Sequence, residues 1–88
     1  MTSDLSEIKK IRSKKKFTIS LAESCTGGMI SKYLTSINGS SLFFNGACIS
    51  YSNQMKTRLL KVPKSTILNY GAVSHQTALA MTKGLKKI

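Results

Sequence analysis

The sequence predicts an α/β layered domain, and three observations carry that reading. Phe17–Ala22 alternates Phe, Thr, Ile, Ser and Leu at the strand period of two. Gly46–Ser52 does the same, with Ala47, Ile49 and Tyr51 on one face. Around these strands lie segments whose apolar residues recur at helical spacing, and strands alternating with helices pack as layers.

Leu5, Ile8 and Ile11 make Asp4–Lys14 an amphipathic helix. The strand at Phe17–Ala22 follows, then the polar turn Glu23-Ser24-Cys25-Thr26-Gly27-Gly28. Met29, Ile30, Tyr33, Leu34 and Ile37 predict the next helix, with Gly39 as its stop. Ser40 and Ser41 open the approach to the second strand. Asn53 is the expected cap of a short helix through Leu60. Pro63 opens another that ends near Gly71, and Ser74 caps a last helix, Gln76–Lys87. Two strands cannot normally sustain such a fold, so the expected sheet is incomplete, with an exposed edge prone to pairing or self-association.

Eighty-eight residues suit one domain: a basic amphipathic helix over 1–16 and an α/β region over 17–88. No apolar run approaches the ~20 residues of a membrane span, and the first ten residues lack a signal-peptide apolar core. Cys25 and Cys48 form no disulfide framework, so two reduced thiols in the cytosol are expected. Fourteen Lys and Arg against three acids give a net charge of +11. That balance permits binding to nucleic acid or another acidic surface. The basic runs lie at the two ends with few aromatics between them, which favours a plain solvent-facing role.

Two constellations carry chemistry. In the 23–28 turn, two glycines and two hydroxyls stand where a helix start leaves backbone N–H groups unpaired. Such a turn can hold a phosphate or carboxylate. On local residues alone the plainer reading stands ahead: Thr26 caps the helix, and Gly27 and Gly28 allow close strand–helix packing. The turn is neither a Walker loop nor a dinucleotide fingerprint. The second constellation is Ser41, Tyr51 and Lys56, a hydroxyl, a proton relay and an amine base of the Ser-Lys kind. Desolvation or neighbouring positive charge is what fits a lysine for that work. Cys25 and Cys48 read more simply as packed core residues, Met29, Met55 and Met81 as core filler, and His75 as a solvated surface residue.

Ala22-Glu23-Ser24-Cys25-Thr26-Gly27-Gly28 resembles the signature of the CinA C-terminal domain family, which includes the nicotinamide-nucleotide amidases. The resemblance continues in order through Gly39-Ser40-Ser41, Ser50-Tyr51-Ser52-Asn53 with Lys56, and Tyr70-Gly71-Ala72-Val73-Ser74. It implies a three-layer α/β/α sandwich and hydrolysis of the carboxamide of nicotinamide mononucleotide to nicotinate mononucleotide and ammonia. It implies Ser41 as nucleophile, Lys56 as base and Tyr51 as assistant, and no metal or organic cofactor. Ser24, Thr26, Gly27 and Gly28 would line the substrate site, the turn serving as the phosphate clamp. His75 stands where the family commonly has an acid. Family members also continue with a Gly-x-x-Gly-Pro segment and further strands, so these residues match the first half of the domain. Beside a working amidase, completed by a partner or by domain swapping, stand an inactive remnant, set slightly ahead, and a small basic binding protein.

Overall fold

The computed structural model describes residues 7, 8, 10–12, 14 and 16–88. The described residues among 7–14 are helical, as the Leu5–Ile8–Ile11 spacing predicts. The remainder of the predicted Asp4–Lys14 helix lies outside the described residues. Six elements follow: β1 (Ile19–Glu23), α1 (Met29–Thr35), β2 (Phe44–Ile49), α2 (Asn53–Leu60), α3 (Lys64–Tyr70) and α4 (His75–Lys86), with a 3-10 turn at Ser40–Leu42 before β2.

β1 and β2 pair in parallel, and among the described residues they are the whole sheet. The pairing steps from Ile19↔Phe44 to Ser20↔Gly46, so Asn45 is an extra residue in β2. That bulge reverses the alternation of β2 relative to Phe44. Phe44 therefore packs with Ile19 and Leu21 on one face, while Cys48 joins Ala22 on the other.

Each face carries its own core. Leu34 of α1, Ile37 and Phe43 are buried on the first, with Ile8 packed against them. Leu60 of α2, Val62 and Met81 of α4 are buried on the second, with Ile67 and Leu85 against them. Helices thus cover both faces of the sheet, which is the three-layer arrangement that the strand–helix alternation implies.

Several local expectations shift. β1 starts and ends later than expected, and β2 runs earlier, so Tyr51 stands beyond the strand and is 73% exposed. α1 stops at Thr35, and Gly39 caps the 3-10 turn instead, at φ 81°. Ser52, not Asn53, caps α2: its hydroxyl accepts the amide of Met55 at 3.1 Å. Of the described methionines only Met81 is core; Met29 and Met55 are exposed, as is Cys25.

Candidate active site at the C-terminal ends of the strands

β1 and β2 end side by side. The Glu23 carbonyl accepts the Ser50 amide at 2.8 Å, so the residues that follow, Ser24 and Tyr51, leave adjacent strands at the same end. In parallel α/β sheets that end is where ligands bind.

Alternation assigns the side chains to layers. Glu23 points towards α1, where its carboxylate is bound by the Thr26 hydroxyl at 2.7 Å, the Ile30 amide at 3.0 Å, the Ser31 amide at 3.0 Å and the Ser31 hydroxyl. Ser24 is the next position and lies on the α4 side, in a cleft of about 320 Å³ lined also by Thr26, Val73, Ser74, Ala78 and Met81. Such a volume is at the lower end of the ~300–1,000 Å³ usual for small-molecule sites.

Lys56 arrives on the same layer. It lies in α2, is 1% exposed, and its Nζ donates to the Tyr51 carbonyl at 2.7 Å. The side chain therefore folds back to the end of β2, one strand away from Ser24. Burial keeps the side chain out of bulk solvent. Ser50 is fully buried, with its hydroxyl 3.3 Å from Cys48 Sγ, whereas Ser24 is half-exposed and opens on the cleft.

The predicted trio does not assemble. Ser41 lies in the 3-10 turn before β2, and Tyr51 and Lys56 lie beyond its other end. A six-residue strand rising ~3.3 Å per residue separates them by roughly 20 Å. At the Ser41 end the neighbouring contacts are structural: Arg12 donates to the Phe17 carbonyl at 2.9 Å and also to the Leu42 carbonyl.

The phosphate-clamp reading of the turn also changes. The Ile30 and Ser31 amides, donors at the start of α1, are taken by the chain's own carboxylate. Thr26 is neither a cap nor a free hydroxyl, because it donates to Glu23. Gly28 holds the N-cap position at φ 100°. A Cβ there would meet Ile49 Cδ1 at 2.8 Å, so glycine both turns the chain and admits the β2 side chain. The amides of Cys25, Thr26 and Gly28 make no hydrogen bond within the described residues, and Cys25 and Thr26 line the cleft.

Glu23 is the residue that sequence reasoning passed over. It is 2% exposed. Burial alone raises a carboxyl pKa, but the Ser31 and Thr26 hydroxyls and the Ile30 and Ser31 amides outweigh it, lowering Glu23 from 4.5 to about 2. Its signal was available: it is the last acid in the chain, standing between a strand and a glycine turn.

The far wall of the cleft is also fixed. The Gly71 carbonyl accepts the Thr77 hydroxyl at 2.7 Å and the Ser74 hydroxyl at 2.9 Å, and Ser74 Oγ in turn accepts the Thr77 amide at 3.1 Å. Ser74 is thus the cap expected for α4, which runs His75–Lys86. Among the described residues no three His, Cys, Asp or Glu side chains converge as a metal site.

A parallel α/β/α domain with a strand–turn–helix cleft and a buried lysine beside it defines the class. The particular family follows from comparison: the CinA C-terminal domain family matches residues 2–88, and the chain belongs to it. It is 56% identical over 71 residues to a CinA-like protein of Petrotoga mobilis, covering 81% of this chain and 18% of that one. It is 54% identical over 70 residues to a CinA-like protein of Leptospira biflexa, covering 80% and 17%. The competence/damage inducible protein CihA of Agrobacterium tumefaciens superposes with a TM-score of 0.84 at 38% identity, covering 94% of this chain and 51% of that one. A competence or damage-inducible protein of Enterobacter asburiae gives 0.87 at 26% identity, covering 94% and 52%. The chain thus spans about a fifth of the curated relatives it matches and about half of the solved ones.

Proposed function

We propose that this chain bears the nucleophile and base of an amidohydrolase acting on a linear carboxamide, with nicotinamide mononucleotide as the substrate, and that the nucleophile is Ser24. The observation that carries the reading is that the Lys56 amine is bound to the Tyr51 carbonyl, at the strand end adjacent to Ser24. Ser41 lies at the opposite end of the sheet, so the nucleophilic role implied by the resemblance moves to Ser24 while that of Lys56 stays.

Lys56, acting as base through Nζ, takes the Ser24 proton as the oxygen attacks the amide carbon. The Cys25 and Thr26 amides are the donors for the oxyanion. The Lys56 ammonium returns its proton to the departing nitrogen, and ammonia leaves. Water, deprotonated by the same amine, then hydrolyses the ester to the carboxylate and restores Ser24. Tyr51 contributes its carbonyl, which orients the lysine; its ring is exposed. The described residues contain no helix long and apolar enough to cross a membrane, and a cytoplasmic setting that keeps both thiols reduced fits this reading.

The test is ammonia release from nicotinamide mononucleotide by the purified chain beside its Ser24→Ala and Ser41→Ala variants. Release that survives Ser41→Ala and vanishes in Ser24→Ala is the expected result. Loss in Ser41→Ala alone restores the other serine. No release from the folded chain overturns amidase activity for these 88 residues and leaves the non-catalytic reading.

A further inference from the structure

We infer that the groove between α3 and α4 binds a single nucleic-acid strand, taking its phosphates on Lys61, Lys83 and Lys87 and stacking an unpaired base on Tyr70. The inference does not rest on the amidase reading, and the groove shares no lining residue with the Ser24 cleft.

One face of α4 makes the floor. Gln76, Leu79, Lys83 and Lys87 recur at helical spacing and all line the groove, a space of about 420 Å³. Thr66 and Tyr70 of α3 form a wall, and Lys61, just past α2, completes the lining.

The two ends differ in chemistry. The Thr77 hydroxyl donates to the Gly71 carbonyl at 2.7 Å, which holds the end of α3 against the first turns of α4. Tyr70 therefore stands towards the Gln76 end. The Leu60 carbonyl lies against Gly84, which brings Lys61 to the end where Lys83 and Lys87 stand. One end is thus aromatic and apolar, with Tyr70 56% and Leu79 47% exposed, and the other carries three ammonium groups. Along the chain these lysines and the tyrosine stand apart. Folding gathers them as the cationic track and stacking face that single-strand binding uses.

Cations also settle at helix C-termini, and Lys83 in the last turn of α4 answers that need. Two features exceed it. Lys61 holds φ 56°, the single non-glycine residue with positive φ among those described, and strain of this kind collects at ligand sites. Among the described residues no Asp or Glu lines the groove, so an anion from outside completes it. A strand fits best: three cations suit successive phosphates, and the Tyr70 ring suits a base that no duplex partner holds.

The experiment follows the anisotropy of a labelled oligothymidylate of about twelve nucleotides as the purified chain is added. Binding at low salt is expected, with log affinity falling against log salt at a slope of about −2 for three phosphates on a single strand. Lys83→Ala should bring the slope to about −1.4. Tyr70→Ala should weaken binding roughly tenfold and keep the slope. Lys32→Ala removes the same charge from α1, across the sheet, and should change neither. All three positions are exposed; should Tyr70→Ala fail to fold, Lys83→Ala against Lys32→Ala decides. No binding at low salt overturns the inference, as does equal weakening by Lys32→Ala and Lys83→Ala, which reports net charge alone. Equal affinity for a duplex also overturns it, because no base is then free to stack. Equal competition by thymidine monophosphate or by polyglutamate replaces the strand with a free nucleotide or an acidic polypeptide, and overturns it too.

Discussion

Lys56 Nζ donates at 2.7 Å to the carbonyl oxygen of Tyr51, five residues earlier in the chain. That bond holds a fully buried lysine at the end of β2, and the lysine's own carbonyl accepts the Val62 amide at 3.2 Å.

Lys56→Met tests whether the lysine serves chemistry or stability. Methionine fills nearly the same volume, and such swaps usually cost under about 1.5 kcal/mol. The Tyr51 carbonyl loses one donor, a loss of about 1 kcal/mol. Chemical unfolding should therefore show a stable variant within about 2 kcal/mol of the parent, while amide hydrolysis, where the parent shows it, falls to background. A variant that unfolds but keeps specific activity would remove Lys56 from the mechanism.

Glu23 makes the fold sensitive to acid. Its folded pKa is about 2 against an ordinary 4.5, so the unfolded chain binds the proton more readily. Its contribution is complete above the unfolded value and is lost as pH falls through the folded one. Denaturant unfolding between pH 5 and pH 2 should show stability falling across the window from about 4.5 to about 2. Glu23→Gln should flatten that part of the profile and destabilise the neutral-pH protein by about 1–3 kcal/mol, because an amide cannot accept from every donor now converging on the carboxylate. An unchanged acid limb in the variant would show that another group governs it.

The layers were legible because their signals are periodic and local. Apolar spacing marked α1, glycine and serine marked the turn and the α4 cap, and strand alternation placed both strands within three residues. The site was legible only in parts. The 23–28 turn and Lys56 stood out, but their standing at one end of the sheet did not. Ser24 and Ser41 are both serines near glycines, and which one stands at the lysine's end of the sheet depends on which end of β2 each flanks, a consequence of parallel pairing that local spacing does not express. Glu23 was missed for a related reason. Its partners Ile30 and Ser31 lie across the turn, and only folding turns a strand-end acid into an internal cap. The bulge at Asn45 likewise follows from pairing alone.

Lys61 follows α2 at φ 56°, the single non-glycine residue with positive φ among those described. This left-handed conformation costs an L-residue roughly 1–2 kcal/mol relative to glycine, while a cation at a helix C-terminus returns roughly 0.3–1 kcal/mol. Lys61→Gly should therefore raise stability by up to about 1 kcal/mol, seen as a higher thermal midpoint. A lower midpoint would mean that the Lys61 side chain holds a contact worth more than the backbone relief.

Gly84 sets the distance between α2 and α4. A Cβ built on it would stand 1.8 Å from the Leu60 carbonyl oxygen and 2.7 Å from its carbon. Both are backbone atoms at the end of α2, so no rotamer change relieves the overlap. Gly84 is buried in α4, one turn beyond Met81, which belongs with Leu60 and Val62 to the second core. Alanine must push the helices apart, and separation loosens contacts along that core. Overpacking of this kind costs typically ~1–3 kcal/mol, and a backbone obstacle puts Gly84→Ala at or above the upper end. The variant should lower the thermal midpoint sharply, because a sheet of two strands leaves little else to hold α4 in place. A Gly84→Ala protein of unchanged stability would show that α2 and α4 sit farther apart than the close approach described here.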